Sequence, residues 1–479
     1  MRTTSYRNPL SALLTCALVC LLTTAAEAQT LSMKIQSLGN SSLGLNWVDL
    51  GNDFTYTVEY KNSLDVADWI QIPRAEGWPA RILSLEDTID PNQPGRFYRI
   101  LASRVVQEGD RGKLISAELI DEVSAFQLNF ALALSGIDSF AAEQGVKIFK
   151  VLYETIDANG SVTTASGQVS FPESALIPLP MASYQHGTVV DREDVPSRFG
   201  FTNLESMVGP IMASNGYLGI APDYLGLGDS PGLHPYIIAK PTATSVVDMI
   251  RAAKTVAERE GYSLNEQLFL FGYSEGGYAT MATHKEIQLL HSDEFTVTAA
   301  APMSGPYEVS GVLVDTILSG QAYSNPFYLA YIILAYHDVY GLFDNASEIF
   351  SEAFAPRVES YLRGQVTFES LDSDLPKVPL QMLNPEFVTE FTNNPEHPVR
   401  ILLQQNDLVR WAPEAPIRLI HCGGDLTVPF ENSQLAFDHF RGLGIESVEL
   451  INPFEAGDHS QCILPALTDA KLWMDGLKE

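Results

Sequence analysis

The sequence predicts an α/β fold with a mostly parallel sheet, preceded by a small all-β module. From about residue 106 onward, short apolar runs alternate with helical patterns, which is typical of a sheet covered by helices on both faces. Residues 29–105 instead contain short strand patterns separated by turn-rich stretches. The length of 479 residues is enough for two or three domains, in agreement with this division.

The first 28 residues are predicted to be a secretory signal peptide. Arginines precede an apolar stretch near residues 10–22, and the Ala-Glu-Ala of residues 26–28 is the small-x-small pattern of a cleavage site. Cleavage after Ala28 would deliver the mature protein to the periplasm or the medium. No other stretch of the sequence has the roughly 18 apolar residues of a membrane-spanning helix, so we expect no transmembrane segment in the mature chain.

The acidic composition argues against nucleic acid as a partner. The chain has 59 Asp and Glu against 29 Lys and Arg, a formal net charge of −30, whereas binding to phosphates requires a basic surface. The charge favours solubility of an exported protein and is uninformative about a reaction.

The four cysteines divide into two pairs. Cys16 and Cys20 lie in the predicted signal peptide, so Cys422 and Cys462 remain in the mature chain. A single pair in an exported protein predicts a disulfide. Because two cysteines alone make a poor metal site, we expect no metal.

The β module, residues 29–105, is indicated most clearly by FTYTVEY at residues 54–60. Aromatic residues and Val alternate there with Thr and Glu, which predicts a strand with one buried face. LGLNWV and RFYRI predict further strands, with the turn-rich DPNQPG between the predicted strands, and the whole predicts a small antiparallel sandwich. The segment resembles the fibronectin type III-like modules of secreted bacterial proteins. Two roles stay open: a spacer or stabilising module, or a module that binds a surface or a carbohydrate.

The larger region, residues 106–479, begins with a predicted hairpin. KIFKVLYET and TASGQVSF flank DANG, which is a turn signal. Short apolar strands are then predicted at PMASYQ, YLGIAP, LFLF, VTAAAPM, IRLIHC and SVELIN, and helical patterns such as SVVDMIRAAKTVAERE and SQLAFDHFRGL lie between strands.

Residues 306–413 interrupt this order with several helical patterns and little strand pattern. The most apolar piece, NPFYLAYIILAYHDVYGLF, is broken by His337 and Asp338 and is too short to span a bilayer. It is either an ordinary buried helix or part of a lid over a site for apolar substrates. Because the insertion follows one core strand and precedes the next, we expect it at the carboxyl edge of the sheet.

LFLFGYSEGG, residues 268–277, places a serine where a buried strand turns into a helix. The run from Gly272 to Gly276 fits G-x-S-x-G with a strand before it and a helical pattern after it. The motif alone also occurs by chance in glycine-rich loops, but both flanks are present here. Ser274 is therefore predicted to be a nucleophile, with the helix N-terminus behind it favouring negative charge.

Candidates for the base and the acid follow two later strands. A serine hydroxyl needs a base to take its proton, and in this setting the partners follow in the order Ser, acid, His. Asp425 in GGDLTVP follows IRLIHC, and His459 in EAGDHSQC follows SVELIN, so we expect both on loops at the edge that carries Ser274. Asp458 and Glu455 are rival acids, but neighbours of His459 in sequence are poorly placed to orient its ring.

Two backbone N–H groups are predicted to hold an oxyanion. One belongs to Glu275, directly after the nucleophile, and the other to Thr188 in the loop after PMASYQ. Gly187 would let the backbone approach the substrate. His186 precedes the nucleophile and is expected to be structural. The remaining histidines are predicted to be packed or surface residues, namely His421, His439, His284, His291, His337 and His397.

These motifs resemble the α/β-hydrolase superfamily, and more closely its secreted lipase/esterase (secretory lipase-like) families. The resemblance is carried by SYQHGT, APDYLGLGDS, HPY, GYSEGGYATMA, SGPY, HCGGDLTVPFENS and GDHSQC, spread over residues 106–479. It implies acyl-ester hydrolysis by Ser274, His459 and Asp425, without a cofactor, on a small-molecule or lipid ester. Residues 29–105 are not covered by it.

Two other functions compete with ester hydrolysis. A serine peptidase or amidase would use the same three residues, and an adhesion or binding protein could retain the scaffold without activity. Scaffolds that have lost activity usually lack a member of the triad, and all three are present here. The apolar segment 326–336 further suggests contact with an acyl chain or a lipid surface.

Overall fold

The computed structural model describes the protein in nine ranges, which are 33–39, 42–48, 54–61, 70–72, 82–88, 96–104, 111–137, 140–362 and 375–479. The predicted signal peptide, its two cysteines and the turn-rich DPNQPG lie outside the described residues. The chain divides into two compact units. The first takes residues up to Gln107 together with 159–162, and the second takes 108–158 and 163–479.

The first unit contains two three-stranded antiparallel sheets that share an apolar core. Leu45 and Trp47 of one sheet pack with Tyr56 and Val58 of the other. The strand orders are β1-β2-β5 and β4-β3-β6, with the bounds Met33–Gly39 (β1), Ser42–Trp47 (β2), Phe54–Lys61 (β3), Ile70–Gln71 (β4), Ser84–Thr88 (β5) and Phe97–Arg104 (β6).

Strand β3 differs from its prediction in one respect. Thr57 and Glu59, predicted to face solvent, are each only 8% exposed, so the expectation of one buried face is wrong. Glu59 can be buried because Arg99, directly opposite it on β6, places Nε 2.5 Å from its Oε2. A charged residue is rarely buried unless it is paired in this way.

The second unit is built on a nine-stranded mixed sheet in the order β15-β14-β13-β12-β10-β11-β9-β8-β7. Neighbouring strands are parallel from β11 through β10 to β15, whereas β9 pairs antiparallel with β11 and β7 with β8. The bounds are Leu114–Val123 (β7), Val146–Ile156 (β8), Val162–Pro172 (β9), Leu179–Gln185 (β10), Leu218–Pro222 (β11), Leu264–Tyr273 (β12), Val297–Met303 (β13), Ile417–Ile420 (β14) and Val448–Ile451 (β15). The predicted mostly parallel sheet with an antiparallel start is confirmed.

Helices cover both faces of this sheet. Successive residues of β12 point to opposite faces, so Leu268 and Leu270 join one core while Phe269 and Phe271 join another. The helices span Ala125–Leu134 (α1), Leu204–Ser214 (α2), Ala239–Glu260 (α3), Glu275–Leu290 (α4), Glu431–Gly442 (α10) and His459–Asp475 (α11). The first core includes residues of α3, α4 and α10, and the second includes residues of α2 and α11.

Among the described residues of the insertion, five α-helices lie between β13 and β14. They are Val314–Leu318 (α5), Phe327–Tyr340 (α6), Ala355–Leu362 (α7), Pro385–Asn393 (α8) and Pro398–Gln405 (α9). Helix α6 is the apolar piece singled out in the sequence, and it ends at Gly341, whose positive φ of 65° suits a glycine cap. Within the described ranges, no helix is both long enough and apolar enough to cross a membrane.

Candidate active site

Ser274 occupies a tight turn between strand β12 and helix α4. Its φ of 61° lies in the left-handed region, which costs a non-glycine residue about 1–3 kcal/mol and is retained mainly at functional sites. The flanking glycines make the turn possible: a Cβ on Gly272 would overlap the Gly276 carbonyl, and a Cβ on Gly276 would overlap the Gln185 carbonyl. The G-x-S-x-G spacing therefore has a direct steric cause.

The structure brings Ser274, His459 and Asp425 together in one hydrogen-bonded chain. His459 Nε2 lies 2.8 Å from Ser274 Oγ, and His459 Nδ1 lies 2.5 Å from Asp425 Oδ2. Because an ionised carboxylate only accepts, Nδ1 carries the proton and Nε2 is left to accept from the serine hydroxyl. This arrangement has the geometry needed to activate a nucleophile.

His459 was predicted to lie on a loop, and this prediction is wrong: it is the first residue of helix α11. Asp458 precedes it as the helix cap and accepts from the Gln461 N–H at 2.9 Å. The rival acid Asp458 is therefore engaged in capping. The loop from β15 ends before His459, and the helix fixes the backbone of the histidine.

Asp425 is 2% exposed and lies on the loop after β14. Burial raises its pKa, but hydrogen bonds from His421 and His459 outweigh burial and lower the pKa to about 2. Its second oxygen accepts the N–H groups of Thr427 and Val428, each at 2.9 Å. Asp425 is consequently ionised over the neutral range and ready to hold the His459 ring.

His421 is a site residue that the sequence did not reveal, since it was predicted to be a packed or surface residue. It is fully buried, and its Nε2 lies 3.2 Å from Asp425 Oδ2 and 2.9 Å from the Val428 carbonyl. Its Nδ1 lies 2.7 Å from Ser433 Oγ. Since a carbonyl only accepts, Nε2 is the protonated nitrogen, and His421 donates to the same carboxylate oxygen as His459.

Tyr273 is a second residue that the motif alone does not reveal. Its hydroxyl donates to the backbone carbonyl of His459 at 2.5 Å, and its ring lies 5.1 Å from the His459 ring. The residue before the serine thus fixes the main chain of the histidine.

The two residues predicted to supply oxyanion donors are Glu275, which directly follows the serine, and Thr188, on the loop after β10. Glu275 is the first residue of helix α4, and the first N–H groups of a helix have no partner within it. The loop after β10 passes beside the serine, since a Cβ on Gly187 would lie 4.0 Å from Ser274 Cβ. The Gly187 N–H donates to Glu205 at 3.3 Å, which leaves the next amide, that of Thr188, as the candidate from this loop.

The Glu275 side chain points into the protein and contacts His234. Its Oε1 lies 2.6 Å from His234 Nε2, and each side chain is 1% exposed. His186, the histidine of the Thr188 loop, places Nδ1 2.7 Å from the Gly187 carbonyl and Nε2 3.2 Å from the Asp223 carbonyl.

The insertion meets the site through the segment just before α6 and through α6 itself. Tyr323 donates to the Thr427 carbonyl at 2.6 Å, beside Asp425, and Tyr331 stacks on Tyr236, which hydrogen-bonds Thr188. The insertion also forms an apolar pocket of about 80 Å³ that is partly open to solvent, and its lining includes Leu313, Ile317, Tyr328, Ile332, Ile333 and Phe387.

The remaining chemical features are the two cysteines and possible metal-binding groups. Cys422 and Cys462 form a disulfide with a Cα–Cα distance of 5.8 Å, as the sequence predicts. Among the residues that the structure describes, no group of three or more His, Cys, Asp or Glu side chains could hold a metal ion.

Comparisons with known proteins place this site in context. The Secretory lipase family matches residues 201–304. Among solved structures, the chain is similar to a Legionella pneumophila protein provisionally assigned as a hydrolase, with 29% identity and a TM-score of 0.69 over 76% of this chain and 98% of that one. It is also similar to the rice cell wall degrading esterase LipA from Xanthomonas oryzae, with 29% identity and a TM-score of 0.66 over 76% of this chain and 96% of that one.

The similarity to lipase A from Candida antarctica is more distant. At 16% identity and a TM-score of 0.56, over 77% of this chain and 83% of that one, it shows a shared fold. No curated protein matches the sequence. The family match and the two nearer structures nevertheless agree with one another and with the site. They show that the protein has the α/β-hydrolase fold and is a carboxylic ester hydrolase, similar to lipases and esterases of this fold.

Proposed function

We propose that the protein is a secreted serine ester hydrolase whose triad is Ser274, His459 and Asp425. The observation that carries this proposal is the hydrogen-bonded chain from Ser274 Oγ through His459 to Asp425, with distances of 2.8 and 2.5 Å. Ser274 attacks the ester carbonyl while His459 takes its proton, and Asp425 holds the imidazole in the required tautomer. His459 then protonates the leaving alcohol, and it later activates the water that releases the acid.

The Thr188 and Glu275 amides are proposed to hold the oxyanion of both tetrahedral intermediates. The positive end of helix α4 lies behind Ser274 and favours the same charge. No step requires a metal or a redox group, because the nucleophile, base and electrostatic stabilisation all come from the chain.

The experiment that tests this proposal is covalent labelling together with parallel assays. A fluorophosphonate should modify Ser274, as located by mass spectrometry of peptides. Hydrolysis of p-nitrophenyl esters should greatly exceed that of aminoacyl-p-nitroanilides. Faster hydrolysis of the anilides would favour the peptidase or amidase alternative, and absence of labelling would favour a binding protein.

The insertion is proposed to act as a lid that selects acyl chains and contacts lipid substrates. It borders both the Asp425 loop and the Thr188 loop, and its cavity is lined by apolar side chains of a kind that suits a hydrocarbon chain. A long acyl group would gain roughly 0.8 kcal/mol per buried methylene there.

Ile332→Asp should therefore weaken long-chain substrates selectively. Ile332 lines the cavity, and a charge in an apolar cavity opposes entry of a hydrocarbon chain. We expect kcat/KM for p-nitrophenyl palmitate to fall about tenfold or more relative to that for the acetate. Ile401→Asp is the matched control, because Ile401 is 41% exposed on helix α9 and does not line the cavity. Equal losses for both esters in a stable Ile332 variant would contradict a lid that reads chain length.

The disulfide is proposed to clamp the two regions that carry Asp425 and His459. Cys422 lies three residues before Asp425, and Cys462 lies three after His459 on helix α11. Both cysteines are fully buried. With a separation of 40 residues, the chain-entropy model gives about 4 kcal/mol of stabilisation.

Cys422→Ala combined with Cys462→Ala should lower both thermal stability and kcat. The loss of stability follows from loop entropy, and the loss of activity follows because displacement of about 1 Å can cost roughly 10²-fold in rate. Melting temperature and kcat for a short ester are the measurements. Thiol titration of denatured, unreduced protein serves as the direct check, since two free thiols per mature chain would mean that the clamp does not form.

Secretion and the role of the first unit are further proposals. The predicted signal at residues 1–28 and the disulfide both suit an oxidising compartment outside the cytoplasm. The two antiparallel sheets of the first unit suit a fibronectin type III-like sandwich over residues 29–105. We propose that it serves as a spacer or stabilising module, with surface or carbohydrate binding as the alternative.

A further inference from the structure

A second buried histidine–carboxylate pair, His234 and Glu275, lies next to the nucleophile, because Glu275 directly follows Ser274 in the chain. His234 Nε2 is 2.6 Å from Glu275 Oε1, and His234 Nδ1 is 2.8 Å from the Leu225 carbonyl. Both side chains are 1% exposed. Glu275 Oε2 is buried and has no hydrogen-bond partner among the described residues. Leaving such an oxygen unsatisfied costs about 1–3 kcal/mol, so this pair is not explained by stability alone.

The hydrogen-bond partners fix the number of protons in the pair. The Leu225 carbonyl can only accept, so Nδ1 of His234 carries a proton. The contact of 2.6 Å between Nε2 and Oε1 holds one further proton, because two facing lone pairs would repel. Whether that proton resides on His234 or on Glu275, the pair has no net charge.

Neutrality matters because Glu275 also supplies a backbone N–H to the proposed oxyanion site. An uncompensated carboxylate on this residue would oppose the negative charge that develops on the substrate oxygen. In a buried site this repulsion is stronger than in water. It would act against the helix N-terminus and the amide donors, which are the main source of transition-state stabilisation in such sites.

The segment that carries His234 reaches the second donor as well. Tyr236, two residues later, hydrogen-bonds Thr188 Oγ1 at 2.9 Å, and the Tyr331 ring from the insertion stacks on it at 4.4 Å. The short segment from His234 to Tyr236 therefore contacts the side chains of both residues whose amides are proposed as donors.

We infer that His234 is a positioning residue that neutralises the Glu275 carboxylate and fixes the start of helix α4 for oxyanion stabilisation. This inference rests on the proposed function, since it requires the Glu275 amide to face the oxyanion. It assigns His234 a role in the transition state that a merely packed histidine would not have.

Three variants separate charge compensation from packing. His234→Asn can keep a donor toward Leu225 but loses the contact with Glu275. Glu275→Gln removes the charge, and His234→Asn combined with Glu275→Gln leaves no carboxylate to compensate. His284→Asn is the matched control, because His284 is also buried, lies farther along helix α4 and packs against Trp411 outside the site.

The readouts are kcat and KM for p-nitrophenyl butyrate, inhibition by phenylboronic acid, and melting temperature. The boronic acid is chosen because it forms an anionic tetrahedral adduct with an active-site serine. For His234→Asn we expect kcat to fall about 10- to 100-fold, KM to change less than about threefold, and boronate affinity to fall with kcat. The double variant should recover at least about tenfold of the lost kcat. The His284 control should lose stability but keep kcat.

Several results would overturn the inference. They are full kcat in a folded His234→Asn, a double variant no more active than His234→Asn, or an equal loss of kcat in the His284 control. If His234→Asn does not fold, the double variant decides: a kcat within about tenfold of wild type supports compensation, and a larger loss rejects it. Activity in Ser274→Ala would instead reject the proposed nucleophile, so the two failures are distinguishable.

Discussion

Ser274→Ala is expected to abolish ester hydrolysis while leaving the fold intact. The side chain that is removed is the one whose Oγ lies 2.8 Å from His459 Nε2, at the strained turn between β12 and α4. Loss of the nucleophile from a triad typically costs on the order of 10⁶ in kcat. Alanine keeps the Cβ, so the backbone strain of the turn is unchanged and the variant should remain folded.

The measurement is kcat for a p-nitrophenyl ester, with circular dichroism and melting temperature as evidence of folding. Ser214→Ala is a suitable control, because Ser214 is a buried serine at the end of helix α2 that donates to the Gln144 carbonyl. It should lose some stability and retain activity. A folded Ser274→Ala that keeps a tenth of wild-type activity would show that the nucleophile lies elsewhere.

The parts of the site that the sequence predicts are those specified by local pattern. An apolar strand followed by Gly-x-Ser-x-Gly places Ser274 at a strand end, and the strand-then-loop pattern places Asp425 in the same way. Parallel strands end at one edge of the sheet, so the three residues could be expected to converge. The turn itself follows from backbone contacts that only glycine allows.

The supporting residues could not be predicted in this way because their partners are distant in sequence. Tyr273 and His459 are 186 residues apart, and His234 and Glu275 are 41 apart. Such pairs are fixed by how strands and loops pack, not by a local pattern. His421 is only four residues from Asp425, but its position at a strand end does not determine the orientation of its ring.

Helix α11 is a different case, because a local signal was present. Asp458 and Gln461 form a capping box, with Asp458 accepting from Gln461 and Gln461 from Asp458. That spacing indicates a helix starting at His459. Pro465 within the segment weakens a helical interpretation, although a proline in the second turn disturbs few hydrogen bonds. The histidine therefore gains a fixed backbone that a loop would not supply.

Asp425→Asn is expected to lower kcat by about 10⁴-fold without preventing folding. An asparagine can turn its amide N–H toward His459 Nδ1, which would leave the proton on Nε2, the nitrogen that must accept from Ser274. Loss of the correct tautomer in a triad has an effect of about this size. The variant should keep the packing around the loop, because His421 retains its contacts with Val428 and Ser433.

Acid titration of stability provides the independent check on Asp425. Its pKa is lowered to about 2 in the folded protein, so its stabilisation is present above the unfolded pKa, near 4, and is lost as the pH falls toward 2. The free energy of unfolding of the wild type should therefore decrease by about 2 kcal/mol more than that of Asp425→Asn between pH 5 and pH 2.

Asp407→Asn is the control of opposite sign, because burial raises the pKa of Asp407. The free energy of unfolding of the wild type should therefore rise relative to that of Asp407→Asn as the pH falls. If Asp425→Asn kept wild-type kcat, Asp425 would not be the partner that orients His459. If its stability followed the wild type through this range, Asp425 would not be ionised with a lowered pKa in the folded protein.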